Sequence, residues 1–335
     1  LEQFVQPHEA NLLRRAQGIK GSVRSLCAEV LPLLQCSQSK RSEEEQTMLS
    51  AGQLRITTLS ENTSTGVGIL GEWGLSVLVE AAGQSVLVDT GASGSVGRNL
   101  QTLAPNLAKV QAIVLSHCHY DHTGGLREVL DRMRKARVRI IAHPGLFRSV
   151  HSRNRKTGRL HYTGLPFNRE ELERLGAVFE LSSQPTWLSE EIAASGEEPM
   201  TTDFESVSPD IFVREGEAFR PDDMADDQSL YIRTELGLVI VLGCAHRGMI
   251  NIIRHARTLM GTEQVYMVIG GTHLGPAPEP QVTRTIAALQ ELGVQWVGVS
   301  HCTGLKVAAR LSRELGDRFF FNNAGTAIRF PFKPG

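Results

Sequence analysis

The apolar positions change rhythm near residue 50. Before it, Leu12, Ala16, Ile19, Val23, Leu26 and Val30 recur at steps of four and three, which puts them on one face of a helix. Pro32 limits that helix, and the polar residues 35–46 read as a linker. From Leu54 onward, short apolar runs end in turns. They predict strands over 54–59, 75–80, 85–88, 112–115, 138–142, 177–181, 229–233, 238–242, 265–269 and 295–299. Helical spacing predicts helices over 95–103, 125–135, 169–175, 249–260, 280–292 and 305–315. The early strands follow one another closely, as hairpins do, and the later ones alternate with helices. That mixture predicts an α/β fold of mixed sheets covered by outer helices. Residues 144–227 break the pattern with Pro166, Pro185, Pro199, Pro209, Pro221 and many charges, and read as an insertion or a lid. The chain therefore divides into a helical extension and linker over 1–50 and a main domain over 51–335 that carries this insertion. No internal repeat is visible in the sequence.

Composition narrows the picture further. A length of 335 residues with 41% hydrophobic content allows a sizeable core. A net charge of −1 argues against nucleic acid or an anionic membrane as partner and leaves a small molecule as the expected one. The five cysteines are Cys27, Cys36, Cys118, Cys244 and Cys302. An odd number with no CxxC pair argues against a disulfide framework and for a reducing, cytoplasmic setting. No apolar run approaches the ~18 residues that span a membrane, and no signal peptide is evident. The amphipathic stripe near the start packs on the core or forms a homodimer contact.

The chemistry concentrates after the strand predicted over 112–115. His117 and His119 leave it in extended chain, where alternate side chains point the same way and reach one metal ion together. The following turn aims Asp121 and His122 at a second metal, and Gly124 and Gly125 carry the chain tightly into the next helix. A mere surface cluster is a poor account of so many ligand types at one strand end. Three further histidines each follow an apolar strand: His246 in Gly243-Cys244-Ala245-His246, His273 in Gly270-Gly271-Thr272-His273, and His301 in Ser300-His301-Cys302. Strand ends on one side of a sheet are where α/β folds build sites. His246 and His301 read as ligands, and His273 as a further ligand or as a group that stabilises developing charge or holds substrate. Asp89, also at a strand end, is a turn residue or a carboxylate that orients a ligand histidine. Cys244 and Cys302 are thiolate ligands or small buried residues. Thr303 and Gly304 open a helix whose backbone N–H groups could hold a phosphate. His8, His143, His151, His161 and His255 lack such a setting, and the basic stretch 148–159 reads as a solvated face able to meet an anion.

With these residues in hand, the sequence resembles the metallo-β-lactamase superfamily. His117, His119, Asp121 and His122 match its HxHxDH signature, and Asp89-Thr90-Gly91 matches its strand-end Asp-Thr-Gly. The likeness runs from about Leu54 to the C-terminus. It implies an αβ/βα sandwich with two divalent metals, zinc first and iron or manganese as alternatives. The segments ENTS (61–64), GEWGLSVLVE (71–80), LSHCHYDHTGGL (115–126), DDQSLYI (226–232), GCAH (243–246) and SHCTG (300–304) resemble one subgroup. Its members include metal-dependent hydrolases and a pterin transferase of methanopterin assembly, and it too has a long middle insertion. The chain departs from many superfamily enzymes in that Asp226-Asp227-Gln228-Ser229 precedes the next strand where a Gly-His-Thr-x-Gly histidine is usual. Cys244 falls near the usual bridging aspartate, and Cys118 where the subgroup has glycine.

Three functions follow. The first is a hydrolase in which metals lower the pKa of water to about 7 and the resulting hydroxide attacks an ester or phosphoester. There Asp121 holds a metal and orients the nucleophile, and His273 stabilises charge or protonates the leaving group. The second is a transferase on the same site, with the metals holding a diphosphate leaving group of a pterin substrate. The third is a metal-containing sensor or partner-binding protein without catalysis, motivated by the N-terminal helix.

Overall fold

Long runs of buried, largely β-branched residues build two seven-stranded sheets in a computed structural model that describes residues 48–103 and 105–333. The strands are β1 (Leu54–Ser60), β2 (Ser76–Ala81), β3 (Gln84–Val88), β4 (Val110–Val114), β5 (Val138–Ala142), β6 (Val150–Arg153), β7 (Leu160–Tyr162), β8 (Ala177–Leu181) and β9 (Thr186–Trp187). They continue as β10 (Ile192–Ala194), β11 (Ile211–Glu215), β12 (Ala218–Pro221), β13 (Leu230–Thr234), β14 (Gly237–Val241), β15 (Val265–Gly271), β16 (Trp296–Ser300), β17 (Phe319–Phe321) and β18 (Ala327–Arg329). The first sheet runs β18-β1-β2-β3-β4-β5-β8 and the second β17-β16-β15-β14-β13-β10-β9. The expected N-terminal helix, its linker, its dimer contact, Cys27 and Cys36 lie outside the described residues.

Side chains along each strand alternate between two cores, as a period of two requires. In β3, Val86 and Val88 face the other sheet while Leu87 faces outward; in β14, Val239 and Val241 face inward while Leu238 and Ile240 face outward. The inner core joins Ile56, Val77, Val79 and Val114 of one sheet to Ile232, Met267 and Ile269 of the other. Helices Met249–Met260, Glu279–Glu291 and Leu305–Leu315 cover the second sheet through Ile250, Ile253, Ile286, Leu289 and Leu311. Helices Ser95–Leu103 and Leu126–Met133 cover the first through Val96, Leu100, Leu126 and Leu130. The layers are therefore helix, sheet, sheet, helix, the αβ/βα sandwich of the metallo-β-lactamase fold. At ~1.5–3 kcal/mol for each fully buried large apolar side chain, these three cores are the main source of stability.

The sheets share one plan that the sequence does not display. Each has three antiparallel pairings followed by three parallel ones: β18-β1-β2-β3 then β4-β5-β8 in the first, β9-β10-β13-β14 then β15-β16-β17 in the second. Residues 144–227 are more structured than an irregular lid. They supply β8 to the edge of the first sheet and β9 and β10 to the edge of the second. They also form a separate four-stranded antiparallel sheet, β12-β11-β6-β7. Its alternation is hidden because β12 is exposed along its whole length and β6 and β7 carry polar residues on both faces.

Gly124 and Gly125 form the turn into the next helix, as expected, but without left-handed backbone. Both have ordinary right-handed backbone (φ −68 and −81). A side chain at either would strike backbone instead, with Cβ 2.0 Å from the Ala92 carbonyl oxygen at Gly124 and 2.0 Å from that of Thr90 at Gly125. The Asp-Thr-Gly loop after β3 thus packs directly on the start of the helix that follows the histidine segment.

Candidate metal centre

β4 ends at Val114, and the chain runs on through Ser116 and bends at His117 and Cys118 before His119, where extended chain was expected. His117 and His119 project one way and Cys118 the other, into the core beside Leu115 and Leu126. Cys118 is fully buried there and does not border the cavity described below. The segment is clamped from behind by 226–228. Gln228 donates from its backbone N–H to the Ser116 carbonyl (2.9 Å) and from Nε2 to that of Leu115 (2.9 Å). Cys118 N–H donates to Asp226 Oδ2 (2.9 Å), and Arg148 pairs with Asp222 and Asp226. A short helix, Tyr120–Thr123, then turns Asp121 and His122 inward.

The other half of the site comes from the C-terminal ends of β14, β15 and β16. Asp89, Ala245, His273 and His301 all adopt left-handed backbone, with φ of 58°, 54°, 49° and 52°. For residues other than glycine this costs of order 1 kcal/mol or more, a strain that folds tend to store at functional positions. It lets each strand end throw its side chain across the seam between the sheets.

Two donor sets result. Donor atoms of His117, His119 and His246 all lie within 4.8 Å of one another, as do those of Asp121, His122 and His301. His117 Nε2 and His119 Nδ1 are 3.1 Å apart, and His301 Nε2 is 3.2 Å from Asp121 Oδ2. Cys244 sits between the sets, its Sγ 3.0 Å from His122 Nε2 and within the same limit of His117. His273 stands over the first set, its ring centroid 4.1 Å from that of His246. All these side chains except His273 are buried.

The donor sets fit metal cations. His119 Nε2, both ring nitrogens of His246 and His273 Nδ1 are buried without a hydrogen-bond partner, each a loss of ~1–3 kcal/mol unless something else binds there. Burial, reinforced by the neighbouring imidazoles, pushes His117 and His246 well below the ordinary histidine range. Burial also lowers His119, against the pull of Asp121. These are neutral imidazoles with free lone pairs, the form that binds metal. Burial disfavours charge on His122 as well, but Asp89 outweighs it and lifts that imidazole to about 9. At Asp121 burial works upward, and the hydrogen bond to His301 with the surrounding imidazoles brings the net well below the usual carboxylate range.

Positioning groups surround the donors. Asp89 accepts from Ser116 N–H (2.7 Å) and Ser116 Oγ (2.7 Å), and its Oδ2 lies 2.6 Å from His122 Nδ1. It therefore sits behind His122 and leaves Nε2 facing the centre. Ser116 Oγ is also 2.8 Å from His117 Nδ1. Glu61 accepts from His301 N–H (2.6 Å), Asn62 Oδ1 lies 2.9 Å from His301 Nδ1, and Trp73 packs on the His301 ring at 4.8 Å between centroids. Glu61, Asn62, Trp73 and Ser116 carry no local pattern that marks them as site residues. Their only signal is membership of the subgroup segments 61–64, 71–80 and 115–126.

A cavity of about 430 Å³ opens over the centre. Its walls include Trp73, His119, Asp121, Cys244, His246, His273, His301 and Cys302, and its roof is the four-stranded sheet with Arg153, Arg155 and His161. His161 therefore has a setting that its sequence context concealed. Of the other histidines, His143 caps Gly145 and meets Glu197, and His255 faces the Ser195 carbonyl, both structural arrangements. A second cavity of about 330 Å³ shares Arg155, Ser208, His246, His273 and Pro276 with the first. A third, of about 340 Å³, shares Trp73 and His301 and reaches Thr303 and Gly304. There the Thr303 hydroxyl accepts from that of Thr272 (2.9 Å), and the Gly304 N–H donates to the His301 carbonyl. Among the described residues no helix is long and apolar enough to cross a membrane.

Residues 74–157 match the sequence model of a family described as the metallo-beta-lactamase superfamily. The chain is 32% identical over 290 residues to the 7,8-dihydropterin-6-methyl-4-(beta-D-ribofuranosyl)-aminobenzene-5'-phosphate synthase of Methanocaldococcus jannaschii, covering 83% of this chain and 97% of the relative. It is 26% identical over 255 residues to an uncharacterized protein of the same organism, covering 76% and 92%. Among solved structures it superposes with a TM-score of 0.70 and 28% identity on Tm1679, described as a metal-dependent hydrolase of the beta-lactamase superfamily, covering 82% of this chain and 98% of that one.

Proposed function

The chain belongs to the metallo-β-lactamase superfamily, and from that premise we propose that it is a two-metal enzyme cleaving an ester or phosphoester bond of an anionic small molecule, with water as acceptor. The observation that carries the reading is the pair of buried donor sets, His117/His119/His246 and Asp121/His122/His301, beneath a cavity roofed by arginines. Zinc or a similar divalent metal would supply Lewis acidity and lower the pKa of water to about 7. The protein's own groups do the rest. Arg153, lying over the Phe212 ring, and Arg155, paired with Asp210, would meet the anionic end of the substrate, and Trp73 offers it a flat wall. His273, with Nδ1 unpartnered at the cavity wall, holds a proton for the departing oxygen.

Group transfer is the second reading, and it has its own support. The synthase relative matches over nearly its full length, and the cavities flanking the centre leave room for a second substrate beside the first. In that reaction an arylamine replaces water and a diphosphate leaves from a pterin-bearing carbon. Both readings use the same ligands. A screen of zinc-loaded protein against aryl phosphates, phosphodiesters and carboxylic esters tests them, run beside a dihydropterin diphosphate with an aminobenzene ribofuranoside phosphate. Turnover of the first group, lost in His119→Ala, supports hydrolysis. Turnover of the second pair alone supports transfer. Full metal content with turnover of neither would overturn both and favour the sensor.

A further inference from the structure

The second cavity, of about 330 Å³, lies between the loop 206–209, which leads into β11, and the loop 275–278, which leads from β15 into helix Glu279–Glu291. Val207, Pro209, Ala277 and Pro278 give it short, largely rigid apolar walls. Its lining has no lysine and no carboxylate, and its one arginine, Arg155, is paired with Asp210. One polar group inside is unspent. Gln281 lines the cavity and is only 9% exposed. Its backbone N–H donates to the Pro278 carbonyl (3.0 Å), but its carboxamide meets no hydrogen-bond partner among the described residues. A buried amide left in that state is costly unless something else satisfies it. The third cavity differs: there Glu61 already accepts from the His301 and Thr63 N–H groups, and Ser300 Oγ donates to the Asn322 carbonyl. The second cavity also shares His246, His273 and Pro276 with the main one, so a single molecule can occupy both.

We propose that the second cavity is a subsite for a neutral, flat heterocycle with a lactam-type edge, an N–H beside a C=O. The Gln281 carboxamide is the complement of that edge, since its Oε1 accepts from the N–H while its Nε2 donates to the C=O. Apolar walls with one converging polar group are the usual make-up of a small-molecule pocket. The substrate is then two-part, with the reacting bond over the metal centre, the ring in the second cavity and His273 between them. Gln281 acts as a specificity residue: a ring of the same shape without the edge leaves the amide buried and unpaired. This inference rests on the small-molecule reading of the main cavity. Under hydrolysis the ring belongs to the ester or phosphoester, and under group transfer to the pterin.

Calorimetric titration of the zinc-loaded full chain with three bicyclic probes tests it. Lumazine has the lactam edge and no amino group, pterin has the edge beside an amino group, and naphthalene-2-methanol has neither. Lumazine should bind about tenfold or more tightly than naphthalene-2-methanol, the difference that two neutral hydrogen bonds make. Gln281→Leu, of similar size but without the amide, should remove that preference at unchanged zinc content, which shows the fold and the centre intact. Gln281→Glu should weaken lumazine binding as well, because a carboxylate oxygen then faces the ring C=O. If Gln281→Leu loses zinc, Gln281→Glu decides. Tighter binding of pterin than of lumazine to the wild type would assign amino-bearing rings to the subsite, and the reverse would assign rings without the amino group. Absence of lumazine binding, equal affinity for lumazine and naphthalene-2-methanol, or lumazine binding unchanged in Gln281→Leu would overturn the subsite. The reading it rests on fails by a different result, a wild-type chain that takes up no zinc or turns over nothing in the substrate screen.

Discussion

Asp89→Asn isolates the contribution of a residue that touches no metal in the arrangement proposed here. Asp89 is fully buried and makes three contacts: Oδ1 accepts from Ser116 N–H, while Oδ2 accepts from Ser116 Oγ and faces His122 Nδ1 at 2.6 Å. For His122 to bind a metal through Nε2, the proton must sit on Nδ1 and point at an acceptor. Asparagine can keep its oxygen on Ser116 N–H, but its amide nitrogen then meets His122 Nδ1, donor against donor. The ring either moves or shifts its proton to Nε2 and closes the lone pair. Losing a carboxylate behind a ligand histidine typically weakens metal binding 10–100-fold, about 1.4–2.7 kcal/mol. The loss should fall on the Asp121/His122/His301 set, because the side-chain hydrogen bonds of Asp89 go to Ser116 and His122. Competition against a chromophoric chelator resolves two binding steps. The expected result is one step near the wild-type affinity and one weaker by that factor. Two steps at wild-type affinity would refute the argument, and equal weakening of both would show that Asp89 acts through Ser116 on His117 instead.

Arg153→Ala with Arg155→Ala should raise KM for anionic substrates about tenfold or more, since a hydrogen bond to a charged group contributes ~1.5–3 kcal/mol, and should leave KM for a neutral ester unchanged. Removing the metals with a chelator should lower Tm by about 8 °C, because a ligand present at ~1,000 times its Kd contributes about 4 kcal/mol and a chain of this size loses ~2 °C per kcal/mol; calorimetry reads it directly. Glu198 gives a pH test away from the metals. Burial raises its carboxyl to about 7, although Tyr231 donates to it at 2.7 Å. Because its folded pKa lies above its unfolded one, the folded state holds the extra proton between about pH 4.5 and 7, and stability falls as pH rises through that window. Glu198→Gln removes the dependence. Guanidinium unfolding should therefore show the variant gaining up to about 3 kcal/mol on wild type between pH 5 and pH 8, and no gain would refute the sign.

Much of this was legible in the sequence where local physics dominates. The helices at 95–103, 249–260 and 305–315 match their apolar stripes residue for residue, because one clear face packs on one sheet. The fully buried runs of β14 and β15 announce central strands. Strand-end histidines stood out because each follows an apolar run, and the structure brings His117, His119, His122, His246, His273 and His301 together. What stayed hidden depends on distant partners. β9, β17 and β18 have at most three residues, too few for a period to show. Glu61 and Asn62 gain meaning only when residue 301 folds against them, and Arg153, Arg155 and His161 only when their sheet lies over the cavity. Gly124 and Gly125 turn the chain into the next helix as expected, but the close approach that excludes a side chain there was hidden for the same cause, since the carbonyls belong to a different loop.

The donor sets draw residues from both sheets, and the sheets touch through little more than the apolar layer of Ile56, Val79, Val114, Ile232, Val239 and Ile269. Any ion held there is a rivet through two plates. A truncation in that layer, such as Ile56→Ala, is remote from the chemistry, yet it lets the plates slip against each other. Such damage should register as weakened metal retention before the fold itself gives way, which makes the centre a gauge of how well the two halves are seated.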